Sequence, residues 1–170
     1  MKTLEFALRK ASLNEYEIAL DLLRLAAMRL NKRGINQWQQ WSEPSQEDKS
    51  WVEEGFQLGE FYFIENLSDE KMGMIRILEA DELYWGKTEE TALYIHSLTI
   101  KEEYSGNGLG KKVIDSVYEM ARTRGFDYLR LDCDVSNKGL CSYYEKQNFL
   151  AFGLVHFETF SCQLYQKGIV

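Results

Sequence analysis

The segment Tyr104–Lys111 constrains the fold of this chain more than any other. Three glycines alternate over five residues, from Gly106 to Gly110, between a strand-like run at 93–100 and a helix-like run at 111–124. Glycine permits positive φ angles and close backbone approach, so successive N–H groups can converge on an anion. The helix adds its free N-terminal N–H groups and the positive end of its dipole. The segment therefore predicts a pyrophosphate-binding turn between a strand and a helix.

Two common phosphate-binding motifs fit this turn poorly. A P-loop needs Gly-Lys followed by Ser or Thr, whereas Gly110 and Lys111 are followed by Lys112. A dinucleotide fingerprint needs a third glycine three residues after the second, and that position holds Val113. Asp132, which ends the next predicted strand, lies where dinucleotide folds have the acidic residue that binds the ribose. A nucleotide-binding enzyme is therefore a distant alternative.

Composition bounds the class of protein. A chain of 170 residues that is 45% hydrophobic predicts one globular domain over residues 1–170. Its 27 acidic and 20 basic residues give a net charge of −7, which argues against a nucleic-acid partner. No apolar run approaches the ~20 residues needed to span a bilayer, so no membrane segment is expected. The three cysteines lack metal-ligand spacing, so we expect free thiols, a cytoplasmic location and no metal.

The hydrophobic pattern predicts an α/β (α+β) fold. A strand at 4–10 precedes an amphipathic helix that begins at a capping box, Asn14 with Glu17, and ends at Gly34. The expected apolar stripe of that helix is Ile18, Leu22, Leu25 and Met28. Ser45 and Asp48 predict a short helix through Val52. The later predicted strands lie at 60–65, 71–79, 93–100, 127–134, 151–158 and 161–167, and the later helices at 111–124 and 138–147. Together they predict a mixed, mostly antiparallel sheet of six to seven strands, flanked by about four helices.

The strand before the glycine turn has an irregular apolar pattern. Strict alternation puts Ile95 and Leu98 on opposite faces of the sheet. A bulge near His96 and Ser97 would return both to the core and leave a backbone N–H unpaired beside the turn. A strand buried on both faces explains the same pattern, so periodicity alone leaves the two interpretations open.

Two motifs resemble a known family. The segment Ser105–Gly110 resembles the acetyl-CoA signature of the GCN5-related N-acetyltransferases, with Ser105 where Arg or Gln is usual. The family's second motif has an Asn, then a helix with a Tyr, then Gly-Phe. Here Asn137, Tyr144 and Asn148–Phe149 match it, with Asn148 in place of the glycine. Asn tolerates the left-handed conformation that ends a helix. The likeness covers most of the chain, and the two motifs in this order are far more specific than either alone.

The resemblance implies that acetyl-CoA binds to the turn and the strand before it. Main-chain N–H groups of the turn would hold the pyrophosphate, and Leu98 and Ile100 would pair with pantetheine. The Leu98 N–H would also stabilise the reaction oxyanion. Asn137 would bond the pantetheine arm, although a helix N-cap explains it equally well locally. The implied cofactor-binding residues are Leu98, Thr99, Ile100, Ser105, Gly106, Asn107, Gly108, Leu109, Gly110, Lys111, Asn137 and Tyr144.

For the chemistry, the resemblance implies direct acetyl transfer to a primary amine of a small molecule or peptide. Tyr144 would protonate the departing thiolate. Asp132 is the first candidate for the base, because it lies twelve residues before Tyr144. Related enzymes that acetylate protein N-termini place a Glu base at this spacing. His96 has a suitable unperturbed pKa, and a water relay without a dedicated base is equally ordinary for the family.

The sequence does not identify the acceptor. Trp38 and Trp41 lie where family members wall the acceptor pocket, and aromatic rings there suit an apolar or cationic acceptor. Asp134 and His96 are further candidate acceptor-binding residues. A non-catalytic acyl-CoA-binding or sensing module is the alternative function, since Ser105 departs from the signature. Both a monomer and a homodimer are compatible with the sequence.

Overall fold

The computed structural model describes residues 4–170, which fold into two compact units. Unit 1 extends to Arg76 and takes in Ser97–Gly110. Unit 2 comprises Ile77–His96 and Lys111–Val170. Each unit is therefore built from two separate stretches of chain.

The described residues form seven strands and five α-helices. The strands are β1 (Ala7–Lys10), β2 (Phe61–Glu65), β3 (Lys71–Leu78), β4 (Ala92–Ile100), β5 (Tyr128–Asp134), β6 (Leu150–His156) and β7 (Ser161–Gly168). The α-helices are α1 (Tyr16–Lys32), α2 (Gln46–Gln57), α3 (Glu82–Trp85), α4 (Leu109–Arg124) and α5 (Lys138–Glu145). Short 3₁₀ helices lie at Leu13–Glu15, Gln39–Ser42 and Glu102–Tyr104.

The strands have the order β1-β2-β3-β4-β5-β7-β6. The pairs β1–β2, β2–β3, β5–β7 and β6–β7 are antiparallel, whereas β4–β5 is parallel. Parallel strands need a long crossover, and α4 supplies it between β4 and β5. The predicted mixed, mostly antiparallel sheet is confirmed.

The start of the chain corrects two predictions. The strand predicted at 4–10 is paired only over Ala7–Lys10. The capping box is Ser12 with Glu15, which opens a 3₁₀ turn before α1, and not Asn14 with Glu17. Ser12 with Glu15 and Asn14 with Glu17 both have the spacing of a capping box. The sequence pattern alone therefore could not decide between the two helix starts, which lie two residues apart.

The buried stripe of α1 also differs from the prediction. Ala19, Leu22, Leu23, Ala26 and Ala27 are buried, whereas Ile18, Leu25 and Met28 are exposed. Small alanines allow close packing, so the helix turns its alanine-rich face inward and leaves three large apolar side chains outside.

Helix α2 begins at the predicted Ser45–Asp48 capping box but continues to Gln57, beyond the predicted end at Val52. The hairpin formed by β2 and β3 is present as predicted. Helix α3 was not predicted, because four residues are too few to establish a helical period.

Within unit 2, α3 lies against side chains of β4 and β5. Its Trp85 ring stacks over the buried Arg130 guanidinium, 4.6 Å from the ring centroid. Its Tyr84 ring centroid lies 5.2 Å from that of His96. This short helix therefore places aromatic rings beside one end of the paired part of β4 and β5.

Candidate active site

Strand β4 changes conformation at Ser97. Its pairing with β5 begins at Ala92 and ends at Ile95, which lies opposite Leu131. Ser97 has a φ of +53°, which is uncommon for a residue other than glycine. The irregularity predicted near this residue is therefore present. Leu98 is only half-buried, however, because the break turns Ser97 and Thr99 inward instead.

Gly73 allows close approach of β3 to the end of β4. A Cβ atom at Gly73 would lie 2.0 Å from the Thr99 carbonyl oxygen. Next to this contact, the Lys101 N–H donates to the Met72 carbonyl oxygen at 2.8 Å. The backbone after the Ser97 break is thus held by contacts that only glycine permits at position 73.

The glycine turn has the backbone conformation expected of an anion-binding turn. Gly106 and Gly108 have φ angles of +78° and +72°, and a Cβ at either would meet nothing within 4 Å. Glycine is therefore required there by conformation and not by crowding. Gly110 differs, since it lies within α4 and has no positive φ.

The turn has features that favour the binding of an anion. Ser105 through Gly108 are exposed, and the chain enters α4 directly at Leu109. Exposed N–H groups before a helix N-terminus favour a negatively charged ligand. The Ser105 hydroxyl donates to the Glu102 carbonyl oxygen at 2.8 Å, so this side chain has a local role. The Lys111 ammonium pairs with Asp115 at 2.5 Å.

Three ionisable side chains meet in unit 2 where the β4–β5 pairing ends. The Nε2 atom of His96 lies 2.7 Å from Oδ2 of Asp81, and its Nδ1 atom lies 3.8 Å from Oδ2 of Asp132. His96 and Asp132 follow Ile95 and Leu131, the last residues of the β4–β5 pairing, and Asp81 is the N-cap of α3. We call these residues the Asp81–His96–Asp132 cluster.

Asp132 is the most unusual member of this cluster. Its side chain is only 11% exposed, and its Oδ2 atom accepts no hydrogen bond from the described residues. Burial raises the pKa of Asp132, and the Asp81 carboxylate adds to this rise, whereas His96 and the Cys162 thiol oppose it. An unsatisfied buried carboxylate oxygen is costly, and such groups are concentrated at functional sites.

Aromatic rings line the same part of unit 2. Tyr84 lies next to His96, and the Phe157 ring centroid is 5.0 Å from that of Tyr84. Phe160 stacks on Phe157 at 4.7 Å. Burial raises the pKa of Tyr84, with smaller contributions from Asp132, Cys162 and Asp81, so its phenol stays protonated. The cluster therefore contains two carboxylates and has aromatic rings beside it.

Tyr144 lies on α5 among other aromatic side chains. It is 7% exposed, whereas the adjacent Tyr143 is 37% exposed. Its ring contacts those of Tyr143, Phe149 and Tyr165. Burial raises the pKa of Tyr144, which keeps its hydroxyl protonated at neutral pH. The left-handed conformation predicted for Asn148 after this helix is confirmed by a φ of +66°.

The two polar residues before α5 have local hydrogen bonds. Asn137 is the N-cap of α5, since its Oδ1 atom accepts from the Leu140 N–H at 3.2 Å. The N-cap interpretation is confirmed, and the pantetheine contact stays a prediction. Asp134 accepts from the N–H and hydroxyl of Ser136 at 2.8 and 2.7 Å. Its carboxylate therefore stabilises the turn into α5.

The two tryptophans predicted to bind the acceptor have different environments. Trp41 is buried in the core of unit 1, in the same cluster as Leu23 and Ala27. Its predicted role at the acceptor pocket is therefore not supported, because the ring is enclosed by core side chains. Trp38 is half-buried against that cluster and has a φ of +67°.

Asp81 and Tyr84 are candidate site residues that the sequence prediction missed. Asp81 followed by Tyr84 carries a weak local signal, since Asp is a preferred N-cap and here accepts from the Tyr84 N–H at 3.4 Å. That signal predicts a helix start and says nothing about His96, which lies on another strand.

Comparisons with known proteins agree on one family. The model of the acetyltransferase (GNAT) family matches residues 26–149. An uncharacterised N-acetyltransferase of Bacillus subtilis, YesJ, is 25% identical over 164 residues, which cover 90% of this chain and 84% of that protein. A GNAT-family acetyltransferase structure from Listeria monocytogenes superposes with a TM-score of 0.79 at 26% identity, covering 97% and 95% of the two chains. One from Streptococcus agalactiae has a TM-score of 0.78 at 19% identity, covering 98% of each chain.

The chain therefore belongs to the acetyltransferase (GNAT) family. It is an acyl-CoA-dependent acetyltransferase, and the general reaction of its family is N-acetylation with acetyl-CoA as the co-substrate. Among residues 4–170, no helix has the length and apolar character needed to cross a membrane.

Proposed function

We propose that this acetyltransferase transfers the acetyl group of acetyl-CoA directly to a primary amine of a small molecule or peptide. The observation that carries the proposal is the buried Oδ2 atom of Asp132, which accepts no hydrogen bond from the described residues and lies 3.8 Å from His96. An amine nitrogen supplies the hydrogen-bond donors that this atom needs.

On the donor side, backbone N–H groups would hold acetyl-CoA. The exposed turn at 105–108 and its two positive φ angles support pyrophosphate binding. The half-buried residues Leu98 and Ile100 follow the strand break and would pair with the pantetheine arm. Because the Ser105 side chain is bonded locally, its contribution would come from the main chain.

The chemistry requires a neutral amine. At pH 7, deprotonating an alkylamine of pKa ~10.4 costs roughly 4–5 kcal/mol. In the proposed reaction the amine loses its proton to the pair formed by Asp132 and His96. Its nitrogen then bonds to the thioester carbonyl carbon, and the oxyanion is stabilised by the Leu98 N–H. When the carbon–sulfur bond breaks, Tyr144 gives its proton to the thiolate.

The acceptor we propose is cationic, with apolar groups near the amine. Two carboxylates, Asp81 and Asp132, and the aromatic rings of Tyr84 and Phe157 support this choice. Carboxylates favour an ammonium group over a neutral or acidic one, and aromatic faces also attract cations. The class includes polyamines, basic amino acids and peptide N-termini.

A cytoplasmic location is also part of the proposal. Cys133, Cys141 and Cys162 are all free thiols. Unpaired cysteines are typical of reducing compartments.

A thiol-release assay tests the reaction. Acetyl-CoA would be mixed with spermidine, lysine, an aminoglycoside and a peptide with a free N-terminus, with the N-acetylated form of each amine as its matched control. We expect thiol release with at least one free amine and none with its acetylated form. Calorimetric binding of acetyl-CoA without release on any amine would favour the sensing module. Thermal stabilisation by NAD or ATP, but not by acetyl-CoA, would contradict the choice of donor.

A further inference from the structure

Two of the three cysteines are in contact where α5 packs on β5. The Sγ atoms of Cys133, on β5, and Cys141, on α5, are 3.0 Å apart. A disulfide bond is about 2.05 Å long, so the two sulfurs lie within about 1 Å of bonding distance. Both residues are free thiols. A small movement is therefore enough to join α5 to β5 covalently.

The two thiols differ in their access to solvent. Cys133 is buried, with only 1% of its surface exposed, whereas Cys141 is half-buried. Cys141 also lines an open cavity of about 240 Å³, together with other residues of α5 and with Gln163 and Tyr165 of β7. One water molecule takes up about 30 Å³ in the liquid, so this cavity admits an oxidant as small as hydrogen peroxide. Such an oxidant meets Cys141 before Cys133.

The hydrogen bonds of the pair also distinguish the two sulfurs. The Cys141 thiol donates to the Asp134 carbonyl oxygen at 3.7 Å, which leaves the Cys133 thiol to donate to the Cys141 sulfur. Burial raises the pKa of Cys133, and its hydrogen bond to Cys141 adds to this rise. Cys133 is therefore a protonated thiol directed at the Cys141 sulfur.

The third cysteine, Cys162, is separate from this pair. Its thiol interacts with the Asp132 carboxylate. Asp132 and Cys133 are consecutive residues of β5, and consecutive side chains of a strand point to opposite faces of the sheet. Cys162 therefore lies on the face opposite the pair and supplies a matched control.

We propose that Cys133 and Cys141 form a reversible redox site, which a small peroxide converts to an intramolecular disulfide. Cys141 is the sulfur that the peroxide oxidises, and Cys133 is the sulfur that then bonds to it. Disulfides in a reducing compartment are usually transient, so reversibility agrees with the proposed cytoplasmic location.

The oxidation has two steps. The Cys141 sulfur loses its proton to water and attacks one oxygen of the peroxide, so the O–O bond breaks and a sulfenic acid forms. The departing hydroxide takes up a proton and becomes water. The Cys133 sulfur then bonds to the Cys141 sulfur, and the hydroxyl group of the sulfenic acid leaves as water with the Cys133 proton. Together the two thiols lose two electrons and two protons, and hydrogen peroxide becomes two water molecules.

The disulfide should also affect acetyl transfer. Tyr144 follows Cys141 by three residues on α5, so drawing Cys141 towards β5 moves the helix that carries the Tyr144 hydroxyl. A displacement of about 1 Å at a reacting group can lower a rate by roughly 10²-fold. This consequence rests on the proposed function, in which Tyr144 protonates the thiolate, whereas the disulfide itself does not depend on it.

Peptide mass spectrometry tests the disulfide. The full chain would be reduced, freed of reductant, treated with hydrogen peroxide and digested with trypsin. Trypsin cleaves after Lys138, which separates the two cysteines into peptides 131–138 and 139–146. We expect these two peptides to be linked, with the loss of two hydrogens, and dithiothreitol to separate them. Cys141 oxidised beyond the sulfenic acid without any linked peptide would overturn the proposal.

Three variants test which sulfurs take part. Cys162→Ser should form the same linked peptides as the wild type, whereas Cys141→Ser should form none. In Cys133→Ser the sulfenic acid of Cys141 should accumulate and react with dimedone. Melting temperatures check that each variant is folded, and Cys133→Ala replaces Cys133→Ser if the latter is not. Dimedone on Cys133 in the Cys141→Ser variant, or linked peptides that contain Cys162, would overturn the assignment.

Kinetics test the effect on the reaction, with the best acceptor from the thiol-release panel and after removal of peroxide or reductant. The oxidised wild type should have a kcat roughly 10–10²-fold below that of the reduced protein, and reduction should restore it. Peroxide-treated Cys141→Ser should keep its rate. An unchanged kcat in fully linked wild type would overturn the effect on Tyr144. A reduced wild type without amine-dependent thiol release would contradict the proposed function, and the linked peptides would still decide the redox site.

Discussion

The glycine turn of unit 1 and the Asp81–His96–Asp132 cluster of unit 2 are built in opposite ways. The turn is exposed and depends on backbone conformation, with positive φ angles at Gly106 and Gly108. The cluster is buried and depends on side-chain atoms, with a 2.7 Å contact between Asp81 and His96. A site made of backbone N–H groups should keep its function when a side chain changes without changing φ. A site made of buried polar side chains should lose function when a single atom is replaced, as when Asp becomes Asn. Substitutions should therefore affect the two regions by different amounts and through different observables.

The largest effect should come from Asp132→Asn. In the proposed reaction it removes the charge that binds the amine, so kcat/KM should fall roughly 10²–10⁴-fold. Stability should change in the opposite direction. Because burial raises the folded-state pKa of Asp132 above its unfolded value, the carboxylate destabilises the fold once the pH exceeds the unfolded value. The variant should melt higher than wild type at pH 7, and the gain should vanish as the pH falls below the unfolded pKa. If the variant and the wild type had the same melting curve at pH 7 as well as at low pH, this account would be contradicted.

Gly73→Ala should have the next largest effect, on stability. The added Cβ would meet the Thr99 carbonyl oxygen at 2.0 Å, and a backbone atom cannot rotate away. We expect a loss of about 3 kcal/mol in the free energy of unfolding, the upper end for overpacking, measured by urea denaturation. Gly153→Ala is the matched control, because a Cβ there meets nothing within 4 Å. Equal losses in the two variants would show that the close approach does not matter.

Tyr144→Phe should lower kcat by roughly 10–100-fold and leave acetyl-CoA binding nearly unchanged. The expected loss is smaller than for a general base because the leaving thiol has a pKa of only ~8.5. Steady-state kinetics and calorimetry measure the two quantities. Tyr143→Phe is the control, since this neighbour is more exposed. Undiminished turnover of Tyr144→Phe across the pH range would exclude Tyr144 from the mechanism.

Gly108→Ala should weaken acetyl-CoA binding by about 10-fold, because the left-handed conformation costs an L-residue roughly 1–2 kcal/mol. Gly125→Ala is a close control. Gly125 also has a positive φ, of +76°, and open space around it, but it lies at the end of α4. Both variants should lose similar stability, and only Gly108→Ala should lose affinity in calorimetry. Equal affinities would argue against a backbone anion site.

The smallest effect should come from Ser105→Ala. Its hydroxyl is bonded to Glu102, and its N–H is retained in the variant. We expect the dissociation constant of acetyl-CoA to change by less than about 3-fold, since a surface hydrogen bond contributes roughly 0.5 kcal/mol. A larger loss in calorimetry would mean that the side chain contacts the ligand.

Local patterns predicted much of the fold and the donor side of the candidate site. The glycine turn, the irregularity at Ser97 and the left-handed Asn148 were all indicated by residue type and periodicity. The stripe of α1 was predicted wrongly, and the burial of Trp41 was not predicted, because both depend on which side chains fill the core. Small alanines carry little hydrophobic signal, yet they permit the closest packing.

The sequence by itself determined the family, the strand–turn–helix order and the positive φ angles of Gly106, Gly108 and Asn148. These features are local, since they follow from steric limits on neighbouring residues. Only the tertiary structure decided that Asp81 meets His96 and that the Oδ2 atom of Asp132 is buried without a hydrogen bond from the described residues. These three residues come from separate elements, and their proximity and burial depend on how the chain packs. Hydrogen-bond geometry and desolvation are properties of that packing, and no local pattern encodes them.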